Sequence, residues 1–239
     1  MSNSTFQQVI AIIPAAGVGA RMAETIPKQY LKCAGKPVIW HSLNLMQRCH
    51  WISRIYVALS PNDPYWDDEI GSQFSKVEIV TGGESRAESV TNALSEAMKT
   101  QSDNIWAMVH DAARPCLSIN DLELIENYLS DSPEYGMILA DKLHDTIKQD
   151  DGNDHTEITV DRSHLWRALT PQVFRLGELS QAYDSDRLNE ITDEASAMEM
   201  AGYKTRLVQG DARNIKVTRP ADLVLADLYI GQMENDPCE

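Results

Sequence analysis

The stretch VIAIIPAAGVGARMAETIPKQYL, from Val9 to Leu31, decides the fold. It opens on the apolar run Val9–Ile13, turns through Gly17 and Gly19, and carries Arg21 and Lys28 into the segment beyond. A near-continuous apolar run of that length suits a strand covered on both faces of a sheet. A glycine turn directly after such a strand lies at the carboxyl edge of the sheet, where doubly wound folds bind ligands. Its glycines let backbone N–H groups approach an anion. Arg21 and Lys28 add positive charge, and Pro27, which breaks a helix, is expected to hold Lys28 in a loop.

Two familiar phosphate-binding patterns are absent. No Gly-Lys pair is followed by Ser or Thr, so there is no P-loop, and Gly17-Val18-Gly19 is followed by Ala20, Arg21 and Met22 rather than by the third glycine of a dinucleotide fingerprint. A lone GxG is also compatible with a mere tight strand-to-helix connection, so the rest of the chain has to arbitrate.

Outward from this stretch, apolar runs alternate with helical patterns. Ile55–Leu59, Val77–Val80 and Ile105–Val109 read as further strands. Helices are expected after Pro37 (VIWHSLNLMQRC), after the Gly82–Gly83 turn (SRAESVTNALSEAM), after a capping arrangement of Ser118 with Asp121, from Thr192 or Asp193 to Gly202, and in RPADLVLADLYI. Alternating units of this kind predict an α/β chain with a Rossmann-like, doubly wound, mostly parallel sheet. Residues 141–167 break the rhythm: DTIKQ and EITVDR flank the polar turn DDGNDH, which predicts a projecting β-hairpin arm. An isolated hairpin is marginal in water, so the arm predicts a homodimer, with a lid on its own domain as the alternative. No repeat or linker divides residues 1–239.

The net charge of −15 argues against a nucleic-acid or anionic-membrane partner. It does not exclude a small anionic substrate, because between Ala15 and Trp40 four basic residues (Arg21, Lys28, Lys32, Lys36) face a single acid, Glu24. The cysteines Cys33, Cys49, Cys116 and Cys238 show no CxxC spacing, and the histidines no HExxH pattern. Reduced thiols, no signal peptide at MSNSTFQQ and no run of about 20 apolar residues point to a cytoplasmic protein.

The combination PAAGVGARM…PKQYL…GKPVI resembles the signature of the sugar nucleotidyltransferases, in the variant of the 2-C-methyl-D-erythritol 4-phosphate cytidylyltransferases. GGESRAESV (Gly82–Val90), VHDAARP (Val109–Pro115), DTIK (Asp145–Lys148), TVDR (Thr159–Arg162), LWRALTPQVF (Leu165–Phe174), ITDEASAMEMAG (Ile191–Gly202) and NIKVTRPADL (Asn214–Leu223) follow in the family's order. The one departure is Ala20, where the family often carries a polar or basic residue; Arg21 itself is present.

The resemblance implies transfer of CMP from CTP to methylerythritol phosphate, with release of pyrophosphate, on the non-mevalonate route to isoprenoids. Such in-line phosphoryl chemistry needs positioning and charge stabilisation more than covalent catalysis. By family likeness Arg21 and Lys28 stabilise the transition state, and Arg162 and Lys216 position the attacking phosphate. Ala15, Ala16, Gly17, Gly83, Glu84, Ser89 and Ala112 form the nucleotide shell. Asp111, Arg114, Thr146 and Thr170 contact the acceptor, and Asp111 lies near a Mg²⁺ held mainly by triphosphate oxygens. Thr146 and Arg162 sit on the arm and would reach into a partner's site. Read on their own residues, Lys216 would be an edge-strand lysine, Arg114 a partner of a nearby carboxylate, and His110 a packed group rather than a base. A cytidylyltransferase for another polyol phosphate such as ribitol phosphate, a non-catalytic nucleotide-binding module and a Rossmann dehydrogenase are the competing readings. The absent third glycine weakens the last.

Overall fold

Val9–Pro14 forms the strand around which the sheet is organised. In the computed structural model, which describes residues 8–17, 26–66, 68–183 and 186–235, the strands in chain order are β1 (Val9–Pro14), β2 (Lys32–Cys33), β3 (Lys36–Pro37), β4 (Ile52–Leu59), β5 (Val77–Thr81), β6 (Trp106–Val109), β7 (Gly136–Lys142), β8 (Ile147–Asp150), β9 (Thr156–Val160), β10 (Trp166–Arg175) and β11 (Thr205–Gln209). The helices are α1 (Val38–Arg48), α2 (Asp68–Gly71), α3 (Arg86–Ala97), α4 (Ile119–Ser130), α5 (Leu176–Tyr183), α6 (Glu194–Met200) and α7 (Pro220–Asn235).

Seven strands form one sheet in the order β11-β7-β10-β6-β1-β4-β5. Strand β10 runs antiparallel to both its neighbours, and every other pairing is parallel. Alternate residues of β1 serve the two faces. Val9, Ala11 and Ile13 join Ile39, Leu43 and Met46 of α1 and Leu122 and Ile125 of α4 in one buried layer. Ile10 and Ile12 join Val90, Ala93 and Leu94 of α3, Leu179 of α5 and Met198 of α6 in the other. Each fully buried side chain of this size contributes about 1.5–3 kcal/mol, which explains why β1 carries almost no polar residue.

The helix starts follow the sequence. Ser85 caps α3 by accepting from the Glu88 N–H. Ser118 with Asp121, and Asp193 with Ser196, form reciprocal capping boxes on α4 and α6. Gly202, at φ +84°, turns the chain away after α6.

Strands β7, β10 and β11 have no counterpart in the sequence reading, for separate reasons. In β10, Pro171 interrupts the pattern, and the sheet absorbs it at a register shift between Ala168 and Gln172. In β7 the run begins on Gly136, where a Cβ would stand 2.1 Å from Phe174 Cδ1. Strand β11 is an edge strand with exposed Arg206, Leu207 and Gln209. The arm takes the expected form: β8 and β9 pair antiparallel, with Ile147 opposite Val160 and Gln149 opposite Ile158. It packs little of its own surface; Ile158 is 51% exposed. Helix α7 closes the chain by setting Ala226 and Ile230 against Cys33, Cys116 and Val217.

Candidate active site

The strand order reverses beside β1. From β1 the chain passes to β4 and β5 on one side, and α3 then carries it back to β6 on the other. Open α/β sheets leave a ligand crevice at such a switch point, outside the carboxyl ends of the strands. A cleft of about 180 Å³ lies there, lined by the loops after β1, β5 and β6.

Ala15, Ala16 and Gly17 form one wall. Their carbonyls are already committed to protein donors: Gln29 Nε2 donates to Ala15 O at 2.7 Å and to Gly17 O at 3.2 Å, and Ser60 Oγ donates to Ala16 O at 2.8 Å. Gln29 is 3% exposed and adjoins Lys28, so one buried amide ties the glycine turn to the lysine that follows it. Lys28 lines the cleft from the first residue of a single 3-10 turn, Lys28–Tyr30, with Pro27 as its cap. Pro27 therefore starts a short helical turn rather than leaving Lys28 in an open loop, since its fixed φ suits the residue before a turn.

The opposite wall comes from Gly83, Glu84, Ser85 and Ser89. Ser89 Oγ accepts from the Gly83 N–H at 3.1 Å and donates to Ser85 O at 2.9 Å, which closes the turn on itself. Side chains are excluded at both glycines before it. A Cβ at Gly82 would lie 2.5 Å from Ala16 Cβ, and one at Gly83 would lie 2.2 Å from Glu88 Cβ. The two walls thus touch through a glycine, and their spacing is fixed by backbone.

The floor is charged. Asp111, 7% exposed, receives Arg86 Nε on Oδ1 at 2.9 Å and Lys216 Nζ on Oδ2 at 2.8 Å, with Arg114 Nε at 3.7 Å. Burial alone would push its carboxyl up; the cations Arg86, Lys216 and Arg114 outweigh that and hold it well below the usual carboxylate range. Behind it the Asp111 N–H donates to Thr170 Oγ1 at 3.1 Å, and Thr170 Oγ1 lies 3.0 Å from His110 Nδ1. His110 Nε2 lies 3.0 Å from Arg114 O and 3.1 Å from Ser42 Oγ. Burial lowers His110 to about 4, so the ring is neutral and serves as a hydrogen-bonding post.

Of the residues singled out in the sequence, Ala15, Ala16, Gly17, Lys28, Gly83, Glu84, Ser89, Asp111, Ala112 and Lys216 meet at this cleft. Arg21 lies outside the described residues. Lys216 is not on a strand: it stands in the irregular segment between β11 and α7, which Val217 pins by donating its N–H to Ala113 O at 2.8 Å. Arg114 and Thr170 do not line the cleft. Arg114 points inward, donating from Nη1 to Asn214 O at 2.7 Å and from Nη2 to Ala168 O at 3.4 Å, and Thr170 is 3% exposed behind Asp111. Both act on the floor from beneath. Thr146 and Arg162 lie together on the exposed arm, Arg162 Nη1 donating to Thr146 Oγ1 at 3.3 Å, and neither lines the cleft of its own chain.

Sequence reasoning missed Gln29, Arg86 and Glu194. Arg86 had a legible signal. A cation at the first position of a helix opposes the helix dipole, so an arginine there requires an acidic partner. Glu194 had a weaker one, as the acid directly after a capping aspartate within ITDEAS.

Among the described residues no group of three or more His, Cys, Asp or Glu side chains is placed to hold a metal. Asp111 and Glu84 are the carboxylates of the lining. That sparse donor set suits a divalent cation whose ligands are mostly nucleotide oxygens and water, as magnesium prefers, and would not hold a metal tightly by protein alone.

Comparison with known proteins gives a consistent result. The family model of 2-C-methyl-D-erythritol 4-phosphate cytidylyltransferase matches residues 9–232. A protein of that description from Haemophilus ducreyi is 45% identical over 228 residues, covering 94% of this chain and 96% of its own. A solved structure of 4-diphosphocytidyl-2C-methyl-D-erythritol synthase superposes with a TM-score of 0.81 at 37% identity, over 94% of this chain and 99% of the other. The cytidylyltransferase structure from Francisella tularensis gives 0.78 at 35%, over 93% and 99%.

Proposed function

The chain belongs to the 2-C-methyl-D-erythritol 4-phosphate cytidylyltransferase family, and on that premise we propose how its residues divide the reaction. The enzyme transfers CMP from CTP to 2-C-methyl-D-erythritol 4-phosphate, giving 4-diphosphocytidyl-2-C-methyl-D-erythritol and pyrophosphate in the non-mevalonate pathway to isoprenoid precursors. The observation that carries the assignment of roles is the charged floor: Asp111 held by Lys216 and Arg86 between two backbone walls at the switch point.

The glycine turn at Ala15–Gly17 seats the triphosphate, and Gly83, Glu84, Ser89 and Ala112 take the cytidine. Attack by the acceptor phosphate on the α-phosphorus spreads negative charge over the non-bridging oxygens, and preorganised cations stabilise it without a reorganisation cost at the moment of reaction. Lys28 supplies one such charge at the cleft edge, and Arg21 the other. Lys216 meets the acceptor phosphate. Its ammonium has three donors; one rests on Asp111, which leaves two for phosphate oxygens. No general base is required, because a phosphate monoester is ionised near neutral pH.

Magnesium is the divalent cation of this reading, held mainly by triphosphate oxygens with Asp111 nearby. Bound there, the ion would neutralise charge on the triphosphate. Asp111 also faces the acceptor, with Arg114 and Thr170 holding it from below. The whole of 1–239 is one nucleotidyltransferase domain, whose arm at 141–167 builds a homodimer and carries Thr146 and Arg162 into the partner's cleft. The exposure of the arm, and the fact that neither residue lines its own cleft, support this. The reaction is placed in the cytoplasm, where thiols stay reduced, in keeping with the unpaired, buried Cys33, Cys49 and Cys116. An acidic chain gives nucleic acid and anionic membranes no reason to bind.

A pyrophosphate-release assay with CTP and either methylerythritol phosphate or ribitol phosphate tests the acceptor. Preference for the former is expected, and a strong preference for ribitol phosphate would overturn it.

A further inference from the structure

The motif ITDEAS contributes nothing to the cleft lining, yet it places one carboxylate where a carboxylate is costly. Glu194 is fully buried. Asp193 caps α6 and is tied to β10 through Gln172 Nε2 at 2.9 Å, and Gln172 Oε1 accepts from the Ala195 N–H at 2.9 Å, so the start of α6 is locked on both sides of Glu194. From there Glu194 accepts a fork from Arg86, Nη1 to Oε1 at 2.8 Å and Nη2 to Oε2 at 3.0 Å, and Tyr183 Oη donates to Oε1 at 2.9 Å. A buried ion is tolerated only when paired and hydrogen-bonded, and both conditions are met.

Arg86 is the other half of the arrangement. It stands at the cleft, first residue of α3, and its third nitrogen, Nε, donates to Asp111 Oδ1 at 2.9 Å. Three contacts from one planar group leave it no rotational freedom, because the fork fixes the plane and the plane fixes where Nε points. Burial opposes the charge on Arg86, but Glu194 and Asp111 hold its pKa well above the ordinary value.

We propose that Glu194 and Arg86 are a positioning pair for Asp111: Glu194, itself out of reach of the substrates, orients the Arg86 guanidinium so that Nε holds the Asp111 carboxylate facing the cleft. Lys216 approaches Asp111 from the opposite oxygen at 2.8 Å, so the same pair also sets where the phosphate-positioning lysine rests. ITDEAS is therefore a remote support of the acceptor side of the site. The inference rests on the reading of Asp111 as an acceptor-side group. The competing role is simple cement between α3 and α6.

A variant cycle on the full-length enzyme separates these. Glu194→Gln removes the charge and sets an amide N–H against the fork. It is expected to lower kcat/KM for methylerythritol phosphate on the order of 10-fold, while the calorimetric Kd for CTP moves by less than about 3-fold. Because Glu194 works through Asp111, Asp111→Asn/Glu194→Gln should be no slower than Asp111→Asn alone. A multiplied loss in the double variant, or an equal loss in CTP affinity, overturns the proposal. If Glu194→Gln does not fold, Arg86→Met/Glu194→Leu removes the buried charges together, an exchange that is often neutral for stability. Its melting temperature should then match the wild type while acceptor kcat/KM stays low. Recovery of both stability and acceptor kcat/KM would reduce the pair to cement. Unimpaired Asp111→Asn would instead refute the reading of Asp111, whatever Glu194→Gln does.

Discussion

Lys216 Nζ lies 2.8 Å from Asp111 Oδ2, joining the segment before α7 to the end of β6 across the cleft floor. The contact explains how a lysine with no secondary structure of its own is held in place: the ion pair fixes its tip and the Val217–Ala113 hydrogen bond fixes its backbone. Together with Arg86 and Arg114 it keeps Asp111 ionised in a buried site.

Lys216→Ala should therefore damage function much more than fold. The lysine is 38% exposed, and the buried Asp111 it leaves behind keeps Arg86 and Arg114 beside it, so its charge stays compensated and the loss of stability is modest. Turnover should fall on the order of 100-fold, the scale for one preorganised donor. Steady-state kinetics beside a thermal melt check this, and near-wild-type turnover would remove Lys216 from its assigned role.

Arg21→Ala and Lys28→Ala should each fold and dimerise as wild type while losing about 100-fold or more in kcat. The Lys28 side chain belongs to none of the core clusters, so the packing does not depend on it. Size-exclusion chromatography and pyrophosphate release measure the two halves of the statement. Full turnover in both variants would refute their assignment as transition-state stabilisers.

Gly83→Ala tests the wall opposite the glycine turn. The added methyl would stand 2.2 Å from Glu88 Cβ and 2.7 Å from Glu88 Oε2, so backbone must shift and the Ser89–Gly83 hydrogen bond cannot keep its geometry. CTP affinity should drop by about 10-fold or more, as a displaced binding loop commonly causes. Calorimetric titration decides; an unchanged Kd would mean that this turn does not shape the nucleotide pocket.

His110 makes folding stability sensitive to acid. Burial lowers the folded-state value to about 4, against about 6.5 for an unfolded histidine. Between those values the unfolded chain binds a proton that the folded chain refuses. Stability from the neutral ring is thus fully present above about pH 6.5 and is lost as pH falls towards 4, by roughly 3 kcal/mol in all. Denaturant midpoints from pH 7 down to 4.5 should fall more steeply for wild type than for His110→Gln. Parallel curves would show that the ring does not stay neutral.

How much of this could be read from sequence follows from what each residue answers to. Strand β1, its helices and two of their caps were legible because local pattern and burial agree there, as at Ser118 and Asp193. The glycine turn and Lys28 were legible through charge and position. Strand β10 was not, since Pro171 speaks against a strand locally while the sheet accommodates it at a register shift. Arg114 and Thr170 show the limit on side-chain direction: the motif places them beside the site, but only packing reveals that both face inward. Glu194 and Gln29 are tertiary facts. Arg86 lies 108 residues before Glu194, Gln29 reaches back 14 residues to Ala15, and no spacing rule connects either pair.

The arm yields the sharpest test of assembly. Arg162 and Thr146 touch each other on an exposed ribbon and do not line their own cleft, whereas Lys28 does. If each site joins Lys28 of one protomer to Arg162 of its partner, Arg162→Ala and Lys28→Ala are defects in different halves of the same site. Each homodimer alone should be nearly inactive. Unfolded together and refolded, about half the molecules become mixed dimers, and in each of those one site holds both wild-type residues. About a quarter of wild-type activity should then return, as follows from the two-fold symmetry of such a dimer. Activity that stays at the level of the separate variants, in a mixture shown by mass spectrometry to contain mixed dimers, would place Arg162 at its own site or at none.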